Sequence, residues 1–147
     1  MRITMIGTGY VGLVSGVCFS DFGHDVLCVD NNAAKIERLE QGEVPIYEPG
    51  LEELMKKNVE AGRLTFTTDL KAAVDGAAAV FIAVGTPTRR GDGHADLTYV
   101  MAAAEEVARA LTGYAVIVTK STVPVGTNQR VKDVVSKANP TAEFDVA

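Results

Sequence analysis

The sequence predicts an α/β domain built on a doubly wound parallel sheet, and three observations carry that prediction. Strand-like and helix-like segments alternate from one end of the chain to the other, the order expected of a parallel sheet covered by helices on both faces. The strongest strand signal, Ala78-Ala79-Val80-Phe81-Ile82-Ala83-Val84, is apolar without alternation, as a strand buried on both faces must be. A glycine-rich turn links the first strand directly to the first helix. Crossovers between parallel strands are right-handed almost without exception, which favours the doubly wound topology.

The elements follow in order. Ile3 to Ile6 is a short apolar strand. From Val11 the apolar residues Val11, Val14, Cys18 and Phe22 recur at spacings of three and four, which predicts a helix. Gly23-His24 stops it, and Val26-Leu27-Cys28-Val29 is a second strand closed by Asp30. Ala33 to Glu40 and Leu51 to Ala61 read as helices, the second started by Pro49-Gly50. Between them, Gly42 to Glu48 holds too many breakers to be regular. Leu64 to Thr67 is a strand, and Asp69 caps a helix reaching about Val74. After the long apolar strand comes a polar loop from Gly85 to Asp96. Leu97 to Leu111 is helical, Ala115 to Val118 is a buried strand, and Val125 to Ala138 is a final helix. Phe144-Asp145-Val146-Ala147 begins one more strand, which the sequence is expected to cut short.

The chain has 147 residues, the size of one domain, and 47% hydrophobic with 22% charged residues is the composition of a soluble globular protein. Its formal net charge is −5, and no basic run is longer than Arg89-Arg90. Nucleic acid, which needs a clustered positive surface, is therefore not an expected partner. An anionic ligand would have to be held by local backbone donors. No apolar run approaches the roughly 20 residues that span a bilayer, and no signal-peptide core precedes Gly7, so a cytoplasmic location is expected. Cys18 and Cys28 lie in apolar stretches without metal-ligand spacing and read as structural thiols.

Gly7-Thr8-Gly9-Tyr10-Val11-Gly12 matches G-x-G-x-x-G between a strand and a helix. In that context Gly7 permits a tight turn, Gly9 lets the backbone approach a pyrophosphate, and Gly12 lets helix and strand pack closely. The helix-start amides of Tyr10, Val11 and Gly12 would donate to phosphate oxygens. Asp30 lies 18 residues after Gly12 at the end of the second strand, near the spacing of about 20 at which an acid accepts from ribose hydroxyls. A carboxylate there repels a 2′-phosphate, and Asn31-Asn32 offers no arginine to offset it, so the motif predicts NAD in preference to NADP. Lys35 reads equally as an adenosine contact or as a solvated helix lysine.

Ligands of open parallel sheets bind beyond the carboxyl ends of the strands. Gly85-Thr86-Pro87-Thr88 and Thr119-Lys120-Ser121-Thr122-Val123-Pro124 occupy two more such ends. Gly85, Thr86, Ser121 and Thr122 are therefore candidate contacts for the ribose or nicotinamide end, although short hydroxyl residues also cap turns for local reasons. His24 falls at the opposite edge of the sheet, and His94 reads as an exposed loop residue, so neither is a catalytic candidate.

Several segments in order resemble the UDP-glucose/GDP-mannose dehydrogenase family, and within it the N-terminal NAD-binding domain of UDP-glucose 6-dehydrogenases. They are Ile6 to Gly12, Val29-Asp30, Pro45-Ile46-Tyr47-Glu48-Pro49-Gly50-Leu51, Val84-Gly85-Thr86-Pro87 and Lys120 to Thr127. The resemblance implies a Rossmann domain that binds NAD for the oxidation of UDP-glucose to UDP-glucuronate in two hydride transfers. It assigns cofactor contacts to the glycine turn, Asp30, Lys35, Thr86 and Thr122. It also places Thr122 near the reacting centre, where the matching residue helps hold a water. The rival substrates are GDP-mannose and UDP-N-acetylmannosamine; a different rival is a free-standing nucleotide-binding module without chemistry. Family members continue into a connecting helix and a sugar-binding domain with a nucleophilic cysteine, and they self-associate. Neither Cys18 nor Cys28 matches that cysteine, so residues 1–147 are expected to bind cofactor without oxidising sugar alone.

Overall fold

A computed structural model describes residues 1–147 except Arg90 and Asp92; those two positions of the expected 85–96 loop lie outside the described residues. Six strands, β1 (Arg2–Ile6), β2 (Asp25–Val29), β3 (Leu64–Thr67), β4 (Ala79–Ile82), β5 (Ala115–Thr119) and β6 (Phe144–Val146), form one sheet in the order β3-β2-β1-β4-β5-β6. Every pairing is parallel. The helices are α1 (Tyr10–Asp21), α2 (Ala33–Glu40), α3 (Leu51–Glu60), α4 (Leu70–Val74), α5 (Thr98–Ala110) and α6 (Thr127–Ala138). This is the doubly wound order with its reversal between β1 and β4. Among the described residues, no helix is long and apolar enough to cross a membrane.

The core lies in two layers, one on each face of the sheet. Leu13 and Val17 of α1, Ile36 and Leu39 of α2, and Leu51 and Met55 of α3 pack over Ile3, Met5, Val26 and Cys28. On the other face, Val74 of α4, Val100, Ala104 and Val107 of α5, and Val131 and Val135 of α6 cover Val80, Ile82 and Ile117. Each α2, α3, α5 and α6 sequence is amphipathic, so burial of one stripe fixes its rotation. Asp69 caps α4 as expected, its side chain accepting from the Ala72 amide.

Packing settles one helix face that spacing leaves open, and one expected boundary needs correction. The inward face of α1 is not Val11, Val14, Cys18 and Phe22: Val11 is 44% and Phe22 75% exposed, while Gly12, Leu13, Gly16, Val17 and Ser20 are buried. The helix is apolar on nearly all sides, so spacing could not choose a face. The small residues decide it, because a Cβ on Gly16 would lie 2.6 Å from Cys28 Sγ. The final helix begins at Thr127 and not at Val125: Gly126 has φ +88° and the Thr127 hydroxyl donates to the Pro124 carbonyl, closing a turn that leaves Val125 in solvent. The last strand does form, pairing β6 with β5 from Ala115–Phe144 to Ile117–Val146.

Candidate functional site

The carboxyl ends of β1, β2 and β4 surround a cleft of about 410 Å³, lined among others by Gly7, Gly9, Asp30, Lys35, Gly85 and Tyr99. It sits at the strand-order reversal, where ligands of this architecture bind. A wider groove lies under the 42–50 loop, flanked by Arg38, Tyr47 and Lys56, but it holds none of the predicted cofactor residues.

The glycine turn is shaped by contacts that exclude side chains. Gly7 donates its N–H to the Val29 carbonyl at 2.7 Å and has φ +99°; a Cβ there would stand 2.5 Å from the Ala83 carbonyl oxygen. On Gly12 it would stand 1.8 Å from the Gly7 carbonyl oxygen. Gly9 differs: its φ of −72° suits any residue, and nothing lies within 4 Å of the Cβ position. Protein packing therefore explains Gly7 and Gly12 but not Gly9. The space beside Gly9 suits an approaching ligand backbone or phosphate.

Helix α1 starts at this turn with its N-terminus open. Its first closing bond runs from Leu13 N–H to the Gly9 carbonyl at 2.9 Å, so the amides of Tyr10, Val11 and Gly12 have no partner within the helix. No side chain caps them, and no acidic residue sits in the first turn. Helix dipole and free donors together favour an anion there. The side chains of Tyr10 and Val11 face solvent, so what these two predicted residues can offer a ligand at the turn is their backbone N–H groups. The Tyr10 hydroxyl donates to Glu48, and that bond raises the phenol pKa. The contact ties the glycine turn to the Tyr47-Glu48-Pro49-Gly50 loop, a connection the sequence did not reveal.

Asp30 follows β2 and is held by four donors. Its Oδ2 accepts from the Thr8 hydroxyl at 2.7 Å, the Thr8 amide at 3.0 Å and Lys35 Nζ at 3.0 Å, while Oδ1 accepts from the Asn32 amide at 3.1 Å. Burial alone would raise its pKa, but the Thr8, Asn32 and Lys35 donors outweigh it and bring the value down to about 2. Lys35 is not a solvated helix lysine: it lines the cleft, with its ammonium paired to Asp30. Thr8, absent from the expected site, is the residue that sequence reasoning missed, because its partner lies 22 positions away.

The sign of this shift fixes a pH dependence. Asp30 binds its proton less readily folded than at its ordinary value of 3.8, so its stabilising contribution is complete above about pH 4 and is lost as pH falls toward 2. The contribution is about 1 kcal/mol once solvent screening of this part-buried carboxylate is allowed for, with about 2 kcal/mol as its ceiling. Asp30→Asn is expected to be less stable than the wild type near neutrality and to lose less stability between about pH 4 and 2, as read by urea titrations across pH. Parallel pH curves for the two proteins would refute the assignment.

At the other strand ends, the Thr86 hydroxyl donates to the Thr122 carbonyl at 3.0 Å, and the Ser121 hydroxyl donates to the Val84 carbonyl at 2.7 Å. These bonds join the segments after β4 and β5 into one wall. Gly85 lines the cleft, whereas Thr86, Ser121 and Thr122 stand outside its lining among the described residues. Ser121 is buried with its hydroxyl engaged, and Thr122 is exposed. His24 lies between α1 and β2, at the opposite edge of the sheet, and His94 is exposed.

Comparison with known proteins agrees with this geometry. The chain is 62% identical over 146 residues to a UDP-glucose 6-dehydrogenase of Rhizobium meliloti (strain 1021), covering 99% of this chain and 33% of that protein. It is 54% identical over 138 residues to a UDP-glucose 6-dehydrogenase of Bacillus subtilis (strain 168), covering 94% of this chain and 30% of that protein. A GDP-mannose dehydrogenase structure from Pseudomonas aeruginosa superposes with a TM-score of 0.94 at 38% identity, over 99% of this chain and 35% of the other. A UDP-glucose dehydrogenase from Pyrobaculum islandicum gives 0.93 at 42%, over 98% and 34%. The chain therefore spans about a third of the length of the relatives it matches. Residues 1–147 match the pattern described as the UDP-glucose/GDP-mannose dehydrogenase family, NAD binding domain, and the chain belongs to that family.

Proposed function

We propose that this chain supplies the cofactor half of an NAD-dependent UDP-glucose 6-dehydrogenase. The observation that carries the reading is the state of Asp30: ionised, at the carboxyl end of β2, with Oδ2 filled by protein donors and Oδ1 accepting from the Asn32 amide. An ionised carboxylate has roughly four acceptor positions, so Oδ1 retains capacity for ribose hydroxyls. The same charge disfavours a 2′-phosphate.

The residues fit NAD, and the space beside Gly9 is the structural test of that fit. When bound, NAD supplies the hydride acceptor. The chain's own work is to bind and orient: the amides of Tyr10, Val11 and Gly12 take the pyrophosphate, and Asp30 with Lys35 takes the adenosine ribose. The wall of Gly85, Thr86, Ser121 and Thr122 borders the nicotinamide end. Within it, the Thr122 hydroxyl helps hold a water near the reacting centre. Neither Cys18 nor Cys28 lines the cleft, and Cys28 is fully buried with its thiol pKa raised to about 12 by that burial. Sugar oxidation then needs residues beyond these, as does the nucleotide-sugar grip. The Lys120-Ser121-Thr122-Val123-Pro124 segment favours UDP-glucose over GDP-mannose or UDP-N-acetylmannosamine. The two free thiols suit a reducing, cytoplasmic setting.

Calorimetric titration tests the reading. The wild-type chain is expected to bind NAD, to bind NADP more weakly, and to lose roughly tenfold or more in NAD affinity with Asp30→Ala. Mixed with NAD and UDP-glucose, it is expected to produce no NADH. Equal binding of both cofactors, or sugar turnover, would overturn the assignment.

A further inference from the structure

We infer that Thr8 is a positioning residue for cofactor choice: its hydroxyl holds Asp30 so that Oδ2 stays with the protein and Oδ1 is left for the adenosine ribose. The inference rests on the NAD reading above and adds to it a residue that the glycine pattern leaves open, since G-x-G accepts any side chain at this position.

Thr8 is 0% exposed although its side chain is polar. Its hydroxyl finds one short bond, 2.7 Å to Asp30 Oδ2, and its amide adds a second to the same oxygen at 3.0 Å. Any residue but proline would supply the amide; Thr or Ser adds a hydroxyl on Cβ. Together with Lys35 Nζ these donors fill Oδ2 and define the carboxylate plane, a torsion that is otherwise broad. Without the hydroxyl, Lys35 and the amides alone would set that plane, and the protonated form of Asp30 would lose a competitor.

Burial presses Asp30 toward protonation, and the Thr8 side chain is the first of the donors opposing it. The other charged or titratable groups lining the same cleft are Lys35 from α2 and Tyr99 and Glu106 from α5. The glycine turn and the end of β3 contribute none. Removing the Thr8 hydroxyl therefore moves Asp30 protonation upward in pH, while Lys35 keeps its place.

The test is NAD and NADP affinity of the purified chain from about pH 7 to about pH 4, with the Asp30 carboxyl followed by carbon NMR. Wild type is expected to hold its NAD affinity across that range. Thr8→Val is expected to bind NAD several-fold to about tenfold more weakly, to discriminate less against NADP, and to show an acid loss of affinity that tracks a raised Asp30 titration. Thr8→Ser, which restores a hydroxyl, is expected to recover all three. If Thr8→Val fails to fold, Thr8→Ala, which is smaller, takes its place as the hydroxyl-free variant. Wild-type affinity, discrimination and Asp30 titration in a folded hydroxyl-free variant would overturn the role of Thr8. Failure of the wild type itself to bind NAD would instead overturn the underlying reading.

Discussion

Gly12→Ala is expected to destabilise the domain by more than about 3 kcal/mol, whereas Gly9→Ala is expected to leave stability nearly unchanged and abolish most NAD binding. The two residues sit three positions apart in one motif, yet the chain treats them oppositely. An alanine Cβ at position 12 would meet the Gly7 carbonyl oxygen at 1.8 Å. That oxygen belongs to the backbone, and Gly7 is itself fixed by its bond to Val29 and its approach to Ala83. Relief therefore requires α1 to lift from the sheet, uncovering Leu13 and Val17. A midpoint lowered by roughly 10 °C is the expected reading in a thermal melt.

At position 9 the extra methyl meets no protein atom, and φ of −72° needs no adjustment. Loss of unfolded-state freedom and the poorer capping by alanine nearly cancel, leaving stability within about 0.5 kcal/mol. The methyl does stand beside the uncapped amides of α1. Holding a phosphate away from two or more charge-assisted bonds costs about a hundredfold in affinity. Calorimetry of Gly9→Ala showing undiminished NAD binding would mean that the turn is only structural.

The strands, the glycine turn and Asp30 were legible because each depends on local chemistry: period, turn geometry and fixed spacing along one βα unit. What escaped were contacts between segments distant in sequence. Thr8 occupies an x position, so nothing local distinguishes its hydroxyl from a solvent-facing one; only the return of β2 beside β1 brings Asp30 to it. Tyr10 and Glu48 are joined by the placement of an irregular loop. The α1 face could not be read from spacing, because Val11, Val14, Cys18 and Phe22 satisfy helical spacing as well as Leu13 and Val17 do. The tie is broken by Gly12 and Gly16, whose missing side chains let the helix seat against Gly7 and Cys28. Ser121 adds a bond of the same kind: its hydroxyl donates to the Val84 carbonyl, a contact between segments that local sequence does not show.

At the opposite edge of the sheet, Asn58→Leu is expected to cost about 3 kcal/mol while leaving NAD affinity unchanged in the folded protein. Asn58 is 0% exposed on α3, and every polar atom of its side chain is used. Its amide donates to the Leu54 carbonyl at 2.9 Å and to Asp21 Oδ1 at 3.2 Å, and its carbonyl accepts from Arg63 at 2.8 and 3.0 Å. Arg63 in turn reaches the Ser20 carbonyl at 3.1 Å, and Lys57 joins Asp21 at 2.8 Å. The network bolts the C-terminal ends of α1 and α3 to the start of β3, and its donors, Lys57 first, hold the Asp21 carboxyl below its ordinary range. A leucine of similar volume fills the space but strips two bonds from a guanidinium that cannot discharge itself. Asn58→Asp would keep the acceptor for Arg63 and set a second carboxylate against Asp21, so it is expected to rescue stability only in part. Because the cleft lies beyond the carboxyl ends of the strands and this network beyond their amino ends, thermal melts should fall in both variants while calorimetric NAD affinity holds. Loss of affinity in step with stability would mean that the two edges of the sheet are coupled through α1.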